Sequence, residues 1–94
     1  MIHDADMVVT TVDDALQRGD DILVLVGSEV MLLSPVSSEI VRVCAGGLSV
    51  GELGEHLLAM FGPPPNNQTV AEQTRLMIDR LREAGVLHVT QAAE

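Results

Sequence analysis

Residues 21–47 read DILVLVGSEVMLLSPVSSEIVRVCAGG, and the order of features in this stretch decides the fold. Two apolar runs, Ile22–Val26 and Val30–Leu33, flank a Gly-Ser dipeptide. That pattern is typical of a β-hairpin with a two-residue turn, because glycine adopts positive φ without steric cost. Ser34 and Pro35 follow directly and indicate a helix start, since serine caps a first turn and proline suits the first helical position. The sequence therefore predicts a hairpin that leads into a helix.

A further strand is expected at residues 8–12, because valine and threonine favour the extended backbone. The segment 13–21 contains a glycine and four aspartates and is interpreted as a loop. Together with the hairpin, the first strand would form a three-stranded antiparallel meander. Its third strand, Glu29–Leu33, would then lie at an edge of the sheet.

Three helices are expected after the hairpin. Ser49 with Glu52, and Thr69 with Glu72, match the capping-box pattern, in which a serine or threonine precedes a glutamate by three residues. Consecutive prolines in PPPNNQ exclude helix at 63–68. The expected helices span residues 35–45, 49–61 and 69–84, and a short extended segment follows at 86–89.

The length of 94 residues indicates one domain of the α+β class. We expect a three-stranded antiparallel sheet followed by three helices, with the core at about 8–89 and flexible ends at 1–6 and 90–94. Hydrophobic residues make up 47% of the chain, which excludes general disorder. The core must be aliphatic, because Phe61 is the only aromatic residue.

The charge balance argues against two classes of partner. The net charge is −9, with 14 acidic residues against five arginines and no lysine. Nucleic-acid binding depends on cationic contacts to phosphate, and attraction to anionic membranes depends on basic segments. We therefore expect neither nucleic acid nor membrane as a partner.

Targeting signals are not apparent in the sequence. The N-terminal residues MIHDADM are acidic and lack the basic and apolar regions of a signal peptide. Cys44 is the only cysteine, so an internal disulfide is excluded and a cytoplasmic location is expected.

Catalytic and metal-binding patterns are also missing. The three histidines lie in different predicted elements, and none has a second histidine at zinc-site spacing. Cys44 falls on the apolar side of the first predicted helix, which favours a packed and inert thiol. The aspartate pairs at 13–14 and 20–21 lack the full pattern of a calcium loop. We therefore expect no enzyme activity, no cofactor and no metal site.

The predicted edge strand Glu29–Leu33 is apolar and contains neither proline nor lysine. Such an edge invites pairing with another chain unless it is covered. One interpretation is that a helix, the C-terminal segment or a second copy covers it. The other is that an extended peptide adds to it as a further strand.

The third helix is the best candidate for the second wall of such a groove. Arg75 and Arg82 are seven residues apart and share one face of that helix. A solvated helix face with internal ion pairs is the alternative interpretation of these arginines. The candidate peptide-binding residues are Glu29, Val30, Met31, Leu32, Leu33, Arg75, Ile78, Asp79 and Arg82.

The order of hairpin, helix, Gly-rich turn, capped helix and long final helix resembles the PqqD-like proteins. These are the recognition elements of pathways that modify ribosomally made peptides. The residues that carry the resemblance are VMLLSPVSSEIVRVC (30–44), GGLSVGELGEHL (46–57) and TVAEQTRLMIDRLREAGVL (69–87).

The resemblance implies a winged-helix-like fold and a non-catalytic adaptor role. Such an adaptor binds the leader of a precursor peptide and presents it to a modifying enzyme, such as a radical SAM enzyme or a leader peptidase. In the family the leader lies as a fourth strand beside the third, in the cleft against the third helix. The chain departs from the family pattern at the PPPNNQ connector and at Arg75 and Arg82, where apolar residues are usual.

Two other functions remain open at this point. A structural subunit could bury the edge strand in an obligate homodimer. A DNA-binding winged helix would share the fold, but the arginines of its third helix are balanced by acidic residues.

Overall fold

The structure is a computed structural model that describes residues 2–19, 21–64 and 67–91. These residues form six strands and three helices. In chain order the elements are β1 (Met7–Thr10), β2 (Asp14–Arg18), β3 (Asp21–Val26), β4 (Glu29–Leu33), α1 (Pro35–Val43), β5 (Leu48–Ser49), α2 (Val50–Phe61), α3 (Val70–Glu83) and β6 (Leu87–Thr90).

The strands form two small antiparallel sheets. One has the order β2-β3-β4 and the other β5-β1-β6. The α+β class and the three helices are therefore confirmed, whereas the comparison with a winged helix stays a prediction. The short extended segment expected at 86–89 is confirmed as β6, which pairs with β1 from Met7↔Thr90 to Thr10↔Leu87.

The expected membership of the three-stranded sheet was wrong. The strand expected at 8–12 is β1, which pairs with β5 and β6 rather than with the hairpin. Its place beside β3 is taken by β2, which lies inside the segment interpreted as a loop. The Gly-Asp dipeptide at 19–20 was the missed signal, because two such residues between strands are typical of a hairpin turn.

The hairpin of β3 and β4 is confirmed. Val26 pairs with Glu29 across the two-residue turn, and the register continues to Ile22↔Leu33. Gly27 has φ of 61°, the positive value that the turn requires. At the far end of the ladder, the buried Ser38 hydroxyl of α1 accepts a hydrogen bond from the Ile22 N–H at 2.8 Å. The same hydroxyl donates to the Leu33 carbonyl at 3.3 Å, so α1 is joined to both strands.

The helix starts are confirmed. Both capping boxes are present, with Ser49 bonded reciprocally to Glu52 and Thr69 to Glu72. The Ser34 side chain accepts a hydrogen bond from the Ser37 N–H at the start of α1. Helix α1 ends at Val43, two residues before the expected end, which is within the usual uncertainty of helix boundaries.

The core is aliphatic and lies between the two sheets and the three helices. Its least exposed large side chains are Ile40, Leu53, Ile78, Val8 and Val24. Gly54 brings α2 close to α3, because an added Cβ there would lie 3.3 Å from Thr74 Oγ1.

The N-terminal segment before β1 packs onto this core from Ile2 onward. The flexibility expected for residues 1–6 stays a prediction, and residue 1 lies outside the described residues. Ile2 is 6% exposed and Asp6 is 2% exposed. The Gly51 N–H donates to the Asp4 carbonyl at 3.0 Å, and the Val50 N–H donates to the Asp6 carbonyl at 2.9 Å. The segment thereby covers the start of α2. Of the tail expected to be flexible, 92–94 lie outside the described residues.

Candidate functional site

Strand β4 lies at the end of its sheet, as the sequence predicted. Within the described residues it pairs with β3 alone. Val30 is 67% exposed and Leu32 is 63% exposed, which is unusual for aliphatic residues of a strand. Glu29 is also exposed, Met31 is half-buried, and Leu33 is buried at the end of the strand.

The register determines which backbone N–H and C=O groups of β4 point toward β3 and which point toward the open edge. The closing pair of a two-residue hairpin exchanges hydrogen bonds, and bonded and non-bonded pairs then alternate along the ladder. Val26↔Glu29 is the closing pair, so Val24↔Met31 is bonded and Leu25↔Val30 is not. The N–H and C=O groups of Val30 and Leu32 therefore point away from β3, toward the open edge.

Helix α3 runs beside the hairpin. Met77 and Gln73 line the same groove as Ser34, which directly follows β4. At the other end of the helix, an added Cβ at Gly85 would lie 3.0 Å from Val26 Cγ1, next to the turn. The helix therefore extends from the end of β4 toward its beginning.

The groove beside Ser34 has a volume of about 320 Å³. Its walls are mainly apolar and come from the end of α2, the proline-rich connector and the first half of α3. Phe61, the only aromatic residue, is 45% exposed, and Leu58 is 42% exposed. The contributing apolar residues include Val36, Leu58, Phe61, Pro63, Val70 and Met77. The site thus combines an open strand edge with an apolar groove at its end.

The charged candidates on α3 lie on its other flank. Arg75 Nη2 donates to Asp4 Oδ1 at 3.1 Å, and Arg82 Nη2 donates to Asp79 Oδ1 at 2.7 Å. Asp79 and Arg82 also line a cleft with Ile2 of the N-terminal segment. The structure therefore does not bring Arg75, Asp79 and Arg82 into the groove that Met77 lines.

Ile78 differs from the other candidates because its side chain is fully buried in the core. It supports α3 from within and has no surface to offer a ligand. Sequence reasoning missed Gln73 and Met77 as groove residues. Met77 follows the buried Thr74 by three residues, so helical spacing does not separate it from the apolar core stripe of α3, and in the structure it is half-buried at the margin of that stripe.

Two other side chains with reactive groups, Cys44 and Glu39, are held in contacts that stabilise the fold. Burial raises the pKa of the Cys44 thiol to about 11, and the side chain is fully buried. Glu39 accepts hydrogen bonds from Arg42 and contacts His56 Nε2, which links α1 to α2. These interactions, with the Arg42 hydrogen bond as the largest cause, lower the pKa of Glu39, although burial opposes them.

Neither a metal-binding cluster nor a membrane-spanning helix is present among the described residues. No group of three His, Cys, Asp or Glu side chains in the described part of the chain is placed to hold a metal ion. No described helix is long and apolar enough to cross a bilayer.

A comparison with protein families gives a match over most of the chain. The family model described as "Coenzyme PQQ synthesis protein D (PqqD)" matches residues 22–87, which run from β3 into β6. This range includes the hairpin, α1, α2 and α3, and therefore both sides of the candidate site. No curated protein and no solved structure gives a match to the chain.

Proposed function

The chain belongs to the PqqD family, and from this premise we propose that it binds the leader region of a ribosomally made precursor peptide by strand addition at β4. Members of the family are non-catalytic accessory proteins that bind a precursor peptide and partner with a modifying enzyme. The proposed role of this chain is to present its peptide to such an enzyme.

The observation that carries the proposal is the open edge of β4. Val30 and Leu32 each direct a backbone donor and acceptor outward, which suits an antiparallel or parallel added strand. A typical hydrogen bond contributes only about 0.5–1.5 kcal/mol net, and association costs roughly 4–15 kcal/mol. Backbone pairing alone is therefore too weak, and apolar contacts must supply the remaining affinity.

The groove at the end of β4 supports such contacts. A peptide strand that continues past Leu33 would reach the space between Phe61, Pro63 and Met77. Burial of one large aliphatic or aromatic side chain there would contribute about 1.5–3 kcal/mol. We therefore place the helical wall on Gln73 and Met77, in addition to the strand residues Glu29–Leu33.

The proposal predicts different roles for neighbouring residues of β4. Leu32→Pro removes an outward N–H without removing a bond to β3, and proline is tolerated on edge strands in that orientation. Leu32→Ala is the matched control, because it shortens the side chain but keeps the N–H. Met31→Pro removes an inward N–H and should instead destabilise the sheet.

The experiment is fluorescence anisotropy with a labelled leader segment from a precursor peptide encoded beside this chain, or with peptides selected from a random display library. We expect Leu32→Pro to abolish binding while Leu32→Ala retains most of it. Equal binding by the folded Leu32→Pro variant and the parent would overturn strand addition. Burial of β4 in an obligate dimer would appear as absence of binding together with a dimer that Leu32→Pro dissociates.

Nucleic-acid binding through α3 is not supported by the charges. Arg75 and Arg82 are each paired with an aspartate, and the chain carries a net charge of −9. Phosphate contacts would require a surplus of exposed cations on that helix.

A further inference from the structure

The second open edge of the hairpin sheet is β2, at the side opposite β4. All five of its residues are exposed, and within the described part of the chain β2 pairs with β3 alone. Leu16, at its centre, is 61% exposed. An edge of this kind invites pairing with another chain.

The register of the β2–β3 hairpin determines which backbone N–H and C=O groups of β2 point outward. Arg18↔Asp21 is the pair that closes the two-residue connection to β3, so it exchanges hydrogen bonds. Leu16↔Leu23 and Asp14↔Leu25 are then bonded as well, because bonded pairs occur at every second position. The N–H and C=O groups of Ala15 and Gln17, which lie between them, therefore point outward.

This arrangement is self-complementary. If two copies of β2 pair antiparallel about Leu16, Ala15 of each copy faces the partner's Gln17, and four outward hydrogen bonds close. Leu16 then faces the partner's Leu16 in a non-bonded pair, the type in which side chains lie closest. Asp14 faces the partner's Arg18 in the next non-bonded pair on each side, which places opposite charges across the interface twice.

Both charges are available for these contacts. Arg18 forms no ion pair with any described side chain. Asp14 Oδ1 accepts a hydrogen bond from the Ala15 N–H, one of the outward donors, at 2.8 Å. Pairing would exchange this bond for one to the carbonyl of the partner's Gln17, which frees the Asp14 carboxylate for the partner's Arg18. Asp14, Leu16 and Arg18 share the face of the sheet that points away from the core. The leucine row Leu16, Leu23 and Leu32 would become continuous across the two copies.

We propose that β2 is the homodimer interface of this protein, with a second copy of the chain as its occupant. A two-fold axis through Leu16 closes the assembly, and each dimer keeps its two β4 edges at opposite ends of a six-stranded sheet. Pairing of β4 with a second β4 lacks this complementarity, because Glu29 would face the partner's Leu33. The dimer is thus independent of the peptide site and leaves it accessible.

The test is sedimentation equilibrium of the full chain and its charge variants, from micromolar to near-millimolar concentration. We expect a monomer–dimer equilibrium for the parent. Arg18→Asp should weaken dimerisation tenfold or more because Asp14 then faces the partner's aspartate. Asp14→Arg should weaken dimerisation to a similar extent, because two arginines would then face each other across the interface. Both positions are exposed, and circular dichroism confirms that each variant is folded.

The decisive measurement is the association of an equimolar mixture of Arg18→Asp and Asp14→Arg. In a mixed dimer every position 14 faces a position 18 of opposite charge, so the mixture should recover association that neither variant shows alone. The double variant, with both charges exchanged, should dimerise like the parent. Gln17→Pro should abolish dimerisation, since it removes an outward N–H, and Leu32→Pro should not affect it.

Three results would overturn the interface. These are a parent chain that stays monomeric at the highest concentration, single variants that dimerise as strongly as the parent, and a mixture that remains monomeric while both variants are folded. Dissociation by Leu32→Pro but not by Gln17→Pro would assign the dimer to β4 instead.

Discussion

The hydroxyl of Ser38 accepts a hydrogen bond from the Ile22 N–H at 2.8 Å, so helix α1 is bonded directly to the sheet that carries the candidate site. The ladder between β3 and β4 ends at this point, and the hydroxyl also donates to the Leu33 carbonyl. One side chain thereby satisfies a donor and an acceptor where β4 meets the helix. The position of the edge strand depends on this contact as well as on the hairpin turn.

Ser38→Ala is expected to destabilise the fold. It removes the hydroxyl that bridges the buried Ile22 N–H and the Leu33 carbonyl, and loss of a hydrogen-bond partner at a buried group costs about 1–3 kcal/mol. Urea unfolding should show this loss as a lower midpoint with an unchanged slope. Ser37→Ala, one residue earlier and only half-buried, is the control and should stay within about 0.5 kcal/mol of the parent.

Gly85→Ala is expected to cost more than alanine at another glycine with positive φ. Gly85 and Gly19 have φ of 81° and 62°, so alanine is strained at both positions. An added Cβ at Gly85 also approaches Val26 Cγ1 at 3.0 Å, whereas at Gly19 it meets nothing within 4 Å. Thermal unfolding of both variants measures the difference. Val26→Ala in the Gly85→Ala background should recover part of the stability, and no recovery would exclude the steric contact.

Stability is expected to fall in acid through Glu39. Its pKa is lowered in the folded protein, first by the Arg42 hydrogen bond and also by His56. The contribution is therefore present above the pKa of the unfolded chain, about 4.3, and is lost as pH falls through the lower folded value. Glu39→Gln should reduce the difference in free energy of unfolding between pH 7 and acid. The exposed Glu83→Gln is the control, and an equal effect of both variants would contradict this assignment.

Cys44 is expected to resist thiol reagents in the folded protein. The side chain is fully buried, and burial raises its pKa to about 11, so the reactive thiolate is scarce at neutral pH. Ellman's reagent should react only at the rate at which the protein opens, and quickly in denaturant. Rapid modification under native conditions would show that α1 does not seal this part of the core.

Met77→Gln is expected to weaken peptide binding, on the proposal that the groove receives an apolar side chain. A loss of about 1.4–2.8 kcal/mol of binding free energy raises the dissociation constant ten- to hundredfold. Arg75→Gln lies on the opposite flank of α3 and should leave affinity unchanged, although it removes the ion pair with Asp4. Anisotropy titrations of the two variants compare the flanks directly. A larger effect at Arg75 would move the helical wall to the other face.

The sequence by itself determined the α+β class, the β3–β4 hairpin and the starts of all three helices. These features depend on residues close in the chain: the turn glycine Gly27, and the reciprocal capping pairs Ser49–Glu52 and Thr69–Glu72. Signals of this kind are local and can be recognised in the sequence without knowledge of any tertiary contact. The open edge at β4 also followed, because it was the last strand expected before the helices.

Only the tertiary structure decided which strands share a sheet and which flank of α3 faces the groove. Strand pairing joins residues far apart in sequence, so β1 could pair with β6 and leave the place beside β3 to β2. On α3 the core stripe is flanked on both sides, and periodicity does not distinguish the flank of Arg75 from that of Met77. The distinction arises because the N-terminal segment packs beside Arg75, while the connector and Ser34 lie beside Met77.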